Sequence, residues 1–281
     1  MAFVNSEFKL FLGGTGFSDN SSSEPPSRPA PPPVEVLASE VFEVSSTVKC
    51  LLEAVNLDGL TLLKARVSTE EVLGVPDSDL VPGVYEGGLK LWEGSLDLVK
   101  ALRSEIHKGE LSLKGKKVLE LGCGHGLPGI FACLEGATAV HFQDFNAEVL
   151  RCLTIPNVNA NLTDTTPIFE TEVRYFAGDW SQVHQCLPHE YNIILMAETI
   201  YAISAQQSLY KLIKKCMKRP GGVTYMAAKK HYFGVGGGTR QFLSMVKKDG
   251  VMDASLVAEV ADDSSNVREV WKLSVKRGLK S

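Results

Sequence analysis

From Lys116 onward the chain alternates between two hydrophobic periods. Lys117 to Leu121 (KVLEL) is a short apolar run ending at glycines, the pattern of a buried strand. Pro128 to Leu134 reads as a short helix with proline in its first turn. Ala139 to Asp144 predicts the next strand, Ala147 to Ala160 a helix, and Thr171 to Phe176 a third strand. Tyr191 to Met196 (YNIILM) is almost wholly apolar, as a strand covered on both faces should be. Ser204 to Met217 has helical period, with Leu209, Leu212, Ile213 and Cys216 on one face, and Pro220-Gly221-Gly222 stops it. Val223 to Ala228 predicts a fifth strand and Thr239 to Lys247 a further helix. Ser255 to Val260 and Val267 to Val275 flank a turn-like Asp262-Asp263-Ser264-Ser265-Asn266. Such alternation, closed by an antiparallel pair, predicts an open α/β sheet with helices on both faces. Ligands of such sheets bind at the carboxyl ends of the strands where strand order reverses. The chemistry is therefore expected just after Leu121, Gln143, Phe176 and Met196.

The N-terminal third reads differently. Residues 14–33 are dominated by Gly, Ser and Pro, so residues 1–40 are expected to form a disordered tail. Within it PPSRPAPPP has the composition of a polyproline ligand, though a plain flexible tail is the simpler reading. Residues 41–75 mix β-branched runs with acids and predict a strand or two. The expected division is a tail at 1–40, an N-terminal cover at 41–110 and a catalytic domain at 111–281.

Composition excludes more than it identifies. No apolar run approaches the roughly 20 residues of a membrane span, and Glu7 and Lys9 interrupt the short apolar stretch at the N-terminus. The net charge of −4 argues against nucleic-acid binding by the field of the whole molecule. The six cysteines form no CxxC pair and no zinc-ligand spacing, so no metal is expected, and reduced thiols in the cytoplasm or nucleus are.

The candidate chemistry starts at V-L-E-L-G-C-G-H-G-L-P-G, Val118 to Gly129. Gly122 and Gly124 let the backbone turn sharply and approach a ligand, and the helix near Pro128 presents free N–H groups. Gly124, Gly126 and Gly129 satisfy the dinucleotide fingerprint G-x-G-x-x-G; the longer E-x-G-x-G-x-G from Glu120 is the first motif of class I S-adenosylmethionine-dependent methyltransferases. Asp144 at the end of the next strand can accept from both ribose hydroxyls under either reading. Glu120 separates them, because a carboxylate there suits a sulfonium ligand with an α-amino group. Gly178-Asp179-Trp180 offers an indole for adenine stacking and a carboxylate for its amino group. Glu198 and Tyr201, three residues apart after the fourth strand, can converge on one small polar substrate atom.

These segments together resemble the lysine-and-histidine branch of seven-β-strand protein methyltransferases, which carries an acid-x-x-Tyr motif after strand four, here E-T-I-Y. G-G-L-K-L-W-E (Gly87 to Glu93), I-P-N-V-N-A-N (Ile155 to Asn161) and Y-F-G-V-G-G-G (Tyr232 to Gly238) resemble its histidine protein methyltransferase group over residues 83–276. The resemblance implies a Rossmann-like α/β fold, a seven-stranded and mostly parallel sheet with an antiparallel last strand and a short N-terminal extension. It implies S-adenosylmethionine as cofactor, with S-adenosylhomocysteine as product. It further implies that Leu91, Trp92, Glu93, Gly94 and Ser95 close over the methionine end and Gly122 and Gly124 lie against the cofactor. Gln143, Asp144 and Phe145 would hold the ribose, and Gly178, Asp179 and Trp180 would flank the adenine. Glu120 and Ala197 complete the implied cofactor set, and Ala197 stands where a small hydroxyl residue is expected. Glu198 occupies the acidic position, more often Asp among the lysine enzymes.

The implied substrate is a protein histidine, that of a large-subunit ribosomal protein, with a lysine or small-molecule acceptor and a non-catalytic binding module as alternatives. A monomer is expected, with no sequence-specific nucleic-acid contact and no membrane. Because neutral imidazole is already nucleophilic near pH 7, the expected catalytic residues Glu198 and Tyr201 position the ring: Glu198 accepts from its other N–H and Tyr201 assists. Gly234 to Gly238 is expected to be a flexible loop, a lid or a backbone groove for the substrate. His125, His141 and His231 are the remaining histidines near these segments, and packing or capping is the simpler reading for the first two.

Overall fold

The computed structural model describes residues 32–41, 51–75, 78–162, 171–261 and 266–276. Its strands are β1 (Val34–Val36), β2 (Leu51–Leu57), β3 (Leu60–Arg66), β4 (Lys117–Leu121), β5 (Ala139–Asp144), β6 (Glu172–Ala177), β7 (Ile193–Ala197), β8 (Val223–Lys229), β9 (Met252–Val260) and β10 (Arg268–Val275). The main sheet has the order β1-β6-β5-β4-β7-β8-β10-β9. Strands β4 to β8 run parallel, whereas β10 lies antiparallel between β8 and β9. The predicted α/β class and closing antiparallel pair are therefore present.

Helices cover both faces. Helix α1 is Thr69–Leu73, α2 Glu93–His107 and α3 Leu127–Leu134. Helix α4 starts at Ala147–Val149, passes through a π segment at Leu150–Thr154 and continues over Ile155–Leu162. Helices α5 (Ile203–Cys216) and α6 (Thr239–Asp249) follow. Alternation along the buried strands divides the core. Val118, Ile193 and Leu195 join Leu98, Leu102 and Ile130 on the α2–α3 face. Leu119, Leu121, Ile194 and Met196 join Leu209, Ile213 and Phe242 on the α5–α6 face. Glu120 occupies the first face by the period of two, a carboxylate where packing alone would place an apolar residue.

Three departures from the sequence reading have physical causes. Val34–Val36 pairs antiparallel with β6, so the tail is structured at its end and an eighth strand extends the expected seven. Arg174 anchors this strand through a two-pronged ion pair with Glu35 at 2.7 Å. Helix α2 lies where only a cover was expected; its buried positions Leu98, Val99, Ala101, Leu102 and Glu105 follow one helical face. Finally, the β2–β3 hairpin does not stand apart from residues 111–281, because Leu57 and Leu62 belong to the sheet's own core. Asn157 and Asn161 of α4 secure the hairpin to the backbone of Ala65 and Leu63. The predicted turn at 262–265 and most of PPSRPAPPP lie outside the described residues.

Candidate active site

Strand β4 lies between β5 and β7, so the sheet's order reverses at its end, and the glycine turn follows directly. Gly122 has φ +60, and a Cβ there would lie 2.8 Å from Thr199 Cγ2. Gly124 has φ +48, and a Cβ there would lie 2.8 Å from the Gly88 carbonyl. Both the backbone conformation and the close approach demand glycine.

The neighbouring strand ends are tied to this turn. Gln143 uses its amide nitrogen to bond the carbonyls of Asp144 at 2.7 Å and Gly178 at 2.9 Å. Its Oε1 accepts from the Trp180 indole at 2.9 Å. Gln143 is wholly buried, so it acts as a brace across β5 and β6. It does not line the cavity, which corrects its expected direct contact with a ribose. Asp144 does line it. Its oxygens accept from Gly124 N at 2.9 Å and Asn146 N at 3.2 Å, which fixes the carboxylate and leaves lone pairs for a ligand. Burial outweighs those bonds and pushes its pKa up to about 6. Glu120 accepts from Gly129 N at 2.7 Å, and complete burial drives its pKa well up. Asp179 turns one oxygen back onto the Ser181 amide and hydroxyl, while Phe145, Gly178, Asp179 and Trp180 all border the cavity.

Residues 78–95 form a strap over the turn. Gly88 lies against Asp144 and Val149, and Asn146 bonds the backbone of Val84 and Glu86. The Trp92 indole bonds the Gly87 carbonyl at 2.9 Å, and Lys90 reaches Asp79 at 2.8 Å. Leu91, Trp92 and Ser95 line the cavity. Glu93 and Gly94 do not, contrary to expectation. The Glu93 carboxylate instead meets Arg268 at 2.7 Å, beside the Asp97–Arg268 pair at 2.6 Å. Gly94 lies over Glu198, where a Cβ would be 2.5 Å from Glu198 Oε1.

Glu198 follows β7 with φ +56, an uncommon conformation for a residue with a side chain. Its backbone N–H donates to Ala227 at 2.9 Å and holds the strained residue in place. Oε2 accepts from the Tyr232 hydroxyl. Among the described residues Oε1 is buried without a hydrogen-bond partner, as is Thr199 Oγ1. Burial pushes the Glu198 pKa up to about 7, against the Tyr232 bond and the charges of Lys229 and Arg268, which lower it. The Tyr201 hydroxyl donates to Glu86. Glu198 and Tyr201 both border the main cavity, and a separate pocket of about 20 Å³ lies between Glu86, Trp92, Glu198, Tyr201 and Tyr232. Glu86 and Thr199 were not among the expected site residues. Their roles depend on contacts across 115 residues, for Glu86 and Tyr201, and on packing against Gly122.

The Gly234 to Gly238 loop is tied to the acid-x-x-Tyr segment. Gly237 N–H bonds the Tyr201 carbonyl at 3.0 Å, and Ala202 bridges Gly236. A Cβ at Gly237 would lie 2.2 Å from that carbonyl. His125 is a buried neutral group, its pKa lowered to about 3 by desolvation, and His141 pairs with the Tyr191 hydroxyl at 2.7 Å. Neither is placed as a base.

The main cavity has a volume of about 850 Å³ and runs from Asp179 and Trp180 past Asp144 and Glu120 to Glu198 and Tyr201. That is room for a nucleoside-sized ligand with one end at the indole. Three buried carboxyl groups along its wall favour a ligand carrying positive charge and N–H or O–H donors. Among the described residues no His/Cys/Asp/Glu group is arranged for a metal, and no helix is long and apolar enough to cross a membrane.

A family model described as "Lysine methyltransferase" matches residues 83–249. The chain is 44% identical over 200 residues to a histidine protein methyltransferase 1 homolog of Dictyostelium discoideum, covering 71% of this chain and 61% of that protein. A homolog of the same name from Bos taurus is 36% identical, covering 75% and 63% respectively. The chain thus spans about six-tenths of the length of these relatives. Among solved structures, the Thermus thermophilus 16S rRNA N2 G1207 methyltransferase, crystallised with AdoMet and guanosine, is similar in fold. Its TM-score is 0.52 at 17% identity, covering 81% of this chain and 51% of that one. The chain belongs to the lysine methyltransferase family and has the methyltransferase fold.

Proposed function

We propose that this protein is an S-adenosylmethionine-dependent protein histidine N-methyltransferase whose acceptor is a large-subunit ribosomal protein. The cofactor fits the residues present. The glycine turn at Gly122 and Gly124 leaves no room for side chains beside the cavity floor. Asp144 retains acceptor capacity for ribose hydroxyls, Trp180 offers a flat surface for adenine, and Glu120 provides a carboxylate for an α-amino group. Bound there, the cofactor supplies an electrophilic methyl group on a sulfonium. Histidine as acceptor is supported by the two relatives named for it.

The observation that carries the reading is the Glu198 carboxyl group, buried, held by Tyr232 and placed among the residues that line the cavity. An imidazole has two nitrogens: one attacks while the other donates to Glu198. The bond fixes the tautomer, and the carboxylate stabilises the positive charge that grows on the ring as the methyl is transferred. Little general-base power is required, because the free imidazole pKa of about 6.5 leaves most of the ring neutral at pH 7. Tyr201, bonded to Glu86, lines the main cavity with Glu198 and limits the ring's position. A ribosomal substrate would be met in the cytoplasm or nucleus.

A lysine acceptor is the second reading, favoured by the family description. The deciding experiment incubates the protein with labelled S-adenosylmethionine and large-subunit ribosomal proteins, then maps the modified residue by mass spectrometry. Label on a histidine ring is expected. Label on lysine would replace the histidine reading, and label only outside ribosomal proteins would overturn the substrate assignment.

A further inference from the structure

Tyr232 is 5% exposed and lies on the turn after β8, yet its hydroxyl reaches a residue 34 positions earlier. It has one proton to donate, and Glu198 Oε2 takes it; the Lys229 backbone N–H donates to the same hydroxyl at 3.3 Å. Among the described residues the other oxygen, Oε1, has no hydrogen-bond partner. Three features hold this arrangement. Glu198 is fixed in its left-handed conformation by Ala227. Gly94 supplies the space above Oε1, which a single methyl group would fill. The loop of Gly234 to Gly238 folds Tyr232 back through Tyr232 N–H to Gly237 O at 3.0 Å and Gly236 N–H to Tyr232 O at 2.9 Å. Because Gly237 also bonds the Tyr201 carbonyl, the loop joins Tyr232 rigidly to the acid-x-x-Tyr segment. The glycines that looked like flexibility in the sequence fix a phenol on a carboxylate.

We propose that Tyr232 is a positioning residue for methyl transfer: its hydroxyl holds one oxygen of Glu198 and thereby fixes the carboxylate that meets the acceptor's N–H. The role rests on Glu198 being the group that orients the acceptor. A carboxylate with both oxygens unpaired could rotate or protonate, whereas one held by a phenol presents a single fixed acceptor. Other groups also act on Glu198. Lys229 on β8 and Arg268 on β10 favour its charge, Asp97 on α2 opposes it, and the Tyr201 ring flanks Tyr232 edge-on at 6.4 Å. Tyr232 is the residue whose hydrogen bond to the Glu198 carboxylate the structure shows.

The test uses two variants of the full chain, Tyr232→Phe and Tyr232 replaced by 3,5-difluorotyrosine, whose more acidic hydroxyl donates more strongly. Carbon-13 labelling of glutamate carboxyls lets Glu198 be titrated by NMR in the free protein, with Glu198→Gln identifying its signal. Loss of one charge-assisted hydrogen bond should raise the Glu198 midpoint by about one pH unit in Tyr232→Phe. The difluorotyrosine variant should lower it. Affinity for S-adenosylhomocysteine should remain within about twofold of wild type, because the hydroxyl faces the acceptor end. With large-subunit ribosomal proteins as substrate, kcat/KM at pH 7 should fall about tenfold in Tyr232→Phe, and the loss should shrink as pH rises. Full methyl transfer by Glu198→Gln would overturn the reading of the site, and the role of Tyr232 with it. Failure of Glu198→Gln beside variants of Tyr232 that titrate and turn over like wild type would overturn the role of Tyr232 alone.

Discussion

Glu198 and Glu269 are almost equally buried, at 7% and 5% exposure, but their carboxyl groups behave in opposite ways. Glu269, on β10, is also desolvated, yet Thr239, Trp271 and Lys230 surround it with donors and hold its pKa below the usual value. Glu198 has one donor, Tyr232, and its pKa rises to about 7. Glu120 and Asp144 follow Glu198, with burial raising both. Burial alone therefore does not mark a functional acid in this molecule. The distinguishing property is the balance of donors against desolvation. Three side-chain donors outweigh it at Glu269, whereas burial outweighs the hydrogen bonds of Glu198, Glu120 and Asp144. These three line one cavity.

If that contrast is sound, removing the satisfied acid should harm stability and spare chemistry. Glu269→Ala strands the Thr239 hydroxyl and Trp271 indole, so stability should fall by about 2–6 kcal/mol, one unsatisfied-donor penalty for each. Cofactor affinity at low temperature should be unchanged, which denaturant unfolding and calorimetry together can check. The raised acids predict the reverse dependence on pH. A carboxyl whose folded pKa exceeds its unfolded value contributes stability below the unfolded pKa that is lost as pH rises through the folded one. Between the unfolded value near 4.5 and the folded value of about 7, ionisation of Glu198 should cost the ligand-free protein roughly 3 kcal/mol. Its melting temperature should therefore decline from pH 5 to pH 8, and Glu198→Gln should flatten the upper part of that decline. For Glu269 the lowered pKa reverses the sign, with stability lost only as pH falls through it.

Smaller changes should sharpen the same contrast. Gly94→Ala places a Cβ against Glu198 Oε1; overpacking of about 1–3 kcal/mol there should slow methyl transfer roughly 10- to 100-fold while cofactor affinity holds. The expected signature is a fall in kcat rather than in binding. Trp180→Phe keeps an aromatic face but deletes the bond to Gln143, so cofactor affinity should weaken only about fivefold, the worth of one neutral hydrogen bond.

The strands that build the site were legible from their apolar runs. Lys117–Leu121 and Ala139–Asp144 are found with the boundaries the pattern predicts, because most of their positions pack into the core on one face of the sheet or the other. Helix α2 had its period in the sequence, at Leu98, Val99, Ala101 and Leu102, but it lies behind a proline- and glycine-containing strap that reads as loop. Strand β1 has three residues, too few for a period to show, and depends on the Glu35–Arg174 pair. The glycine turn, Asp144 and Glu198 were visible as residue types at chemically meaningful places. Their partners were not: which phenol meets Glu198 depends on how the Gly234 to Gly238 loop folds against Tyr201. Spacing in the sequence joined Glu198 to Tyr201, whereas the fold joins Glu198 to Tyr232 and Tyr201 to Glu86.

The most direct measurement of the role given to Glu198 is single-turnover methyl transfer by Glu198→Gln with saturating S-adenosylmethionine and large-subunit ribosomal proteins, followed across pH. In the wild-type protein, log kcat/KM should fall below pH 6.5 with a slope approaching about 2, as Glu198 and the acceptor imidazole both take up protons. The variant should bind cofactor normally, transfer about 100-fold more slowly, and show a limiting slope of about 1, since only the acceptor still titrates. Wild-type rate with an unchanged slope in the variant would contradict the assignment.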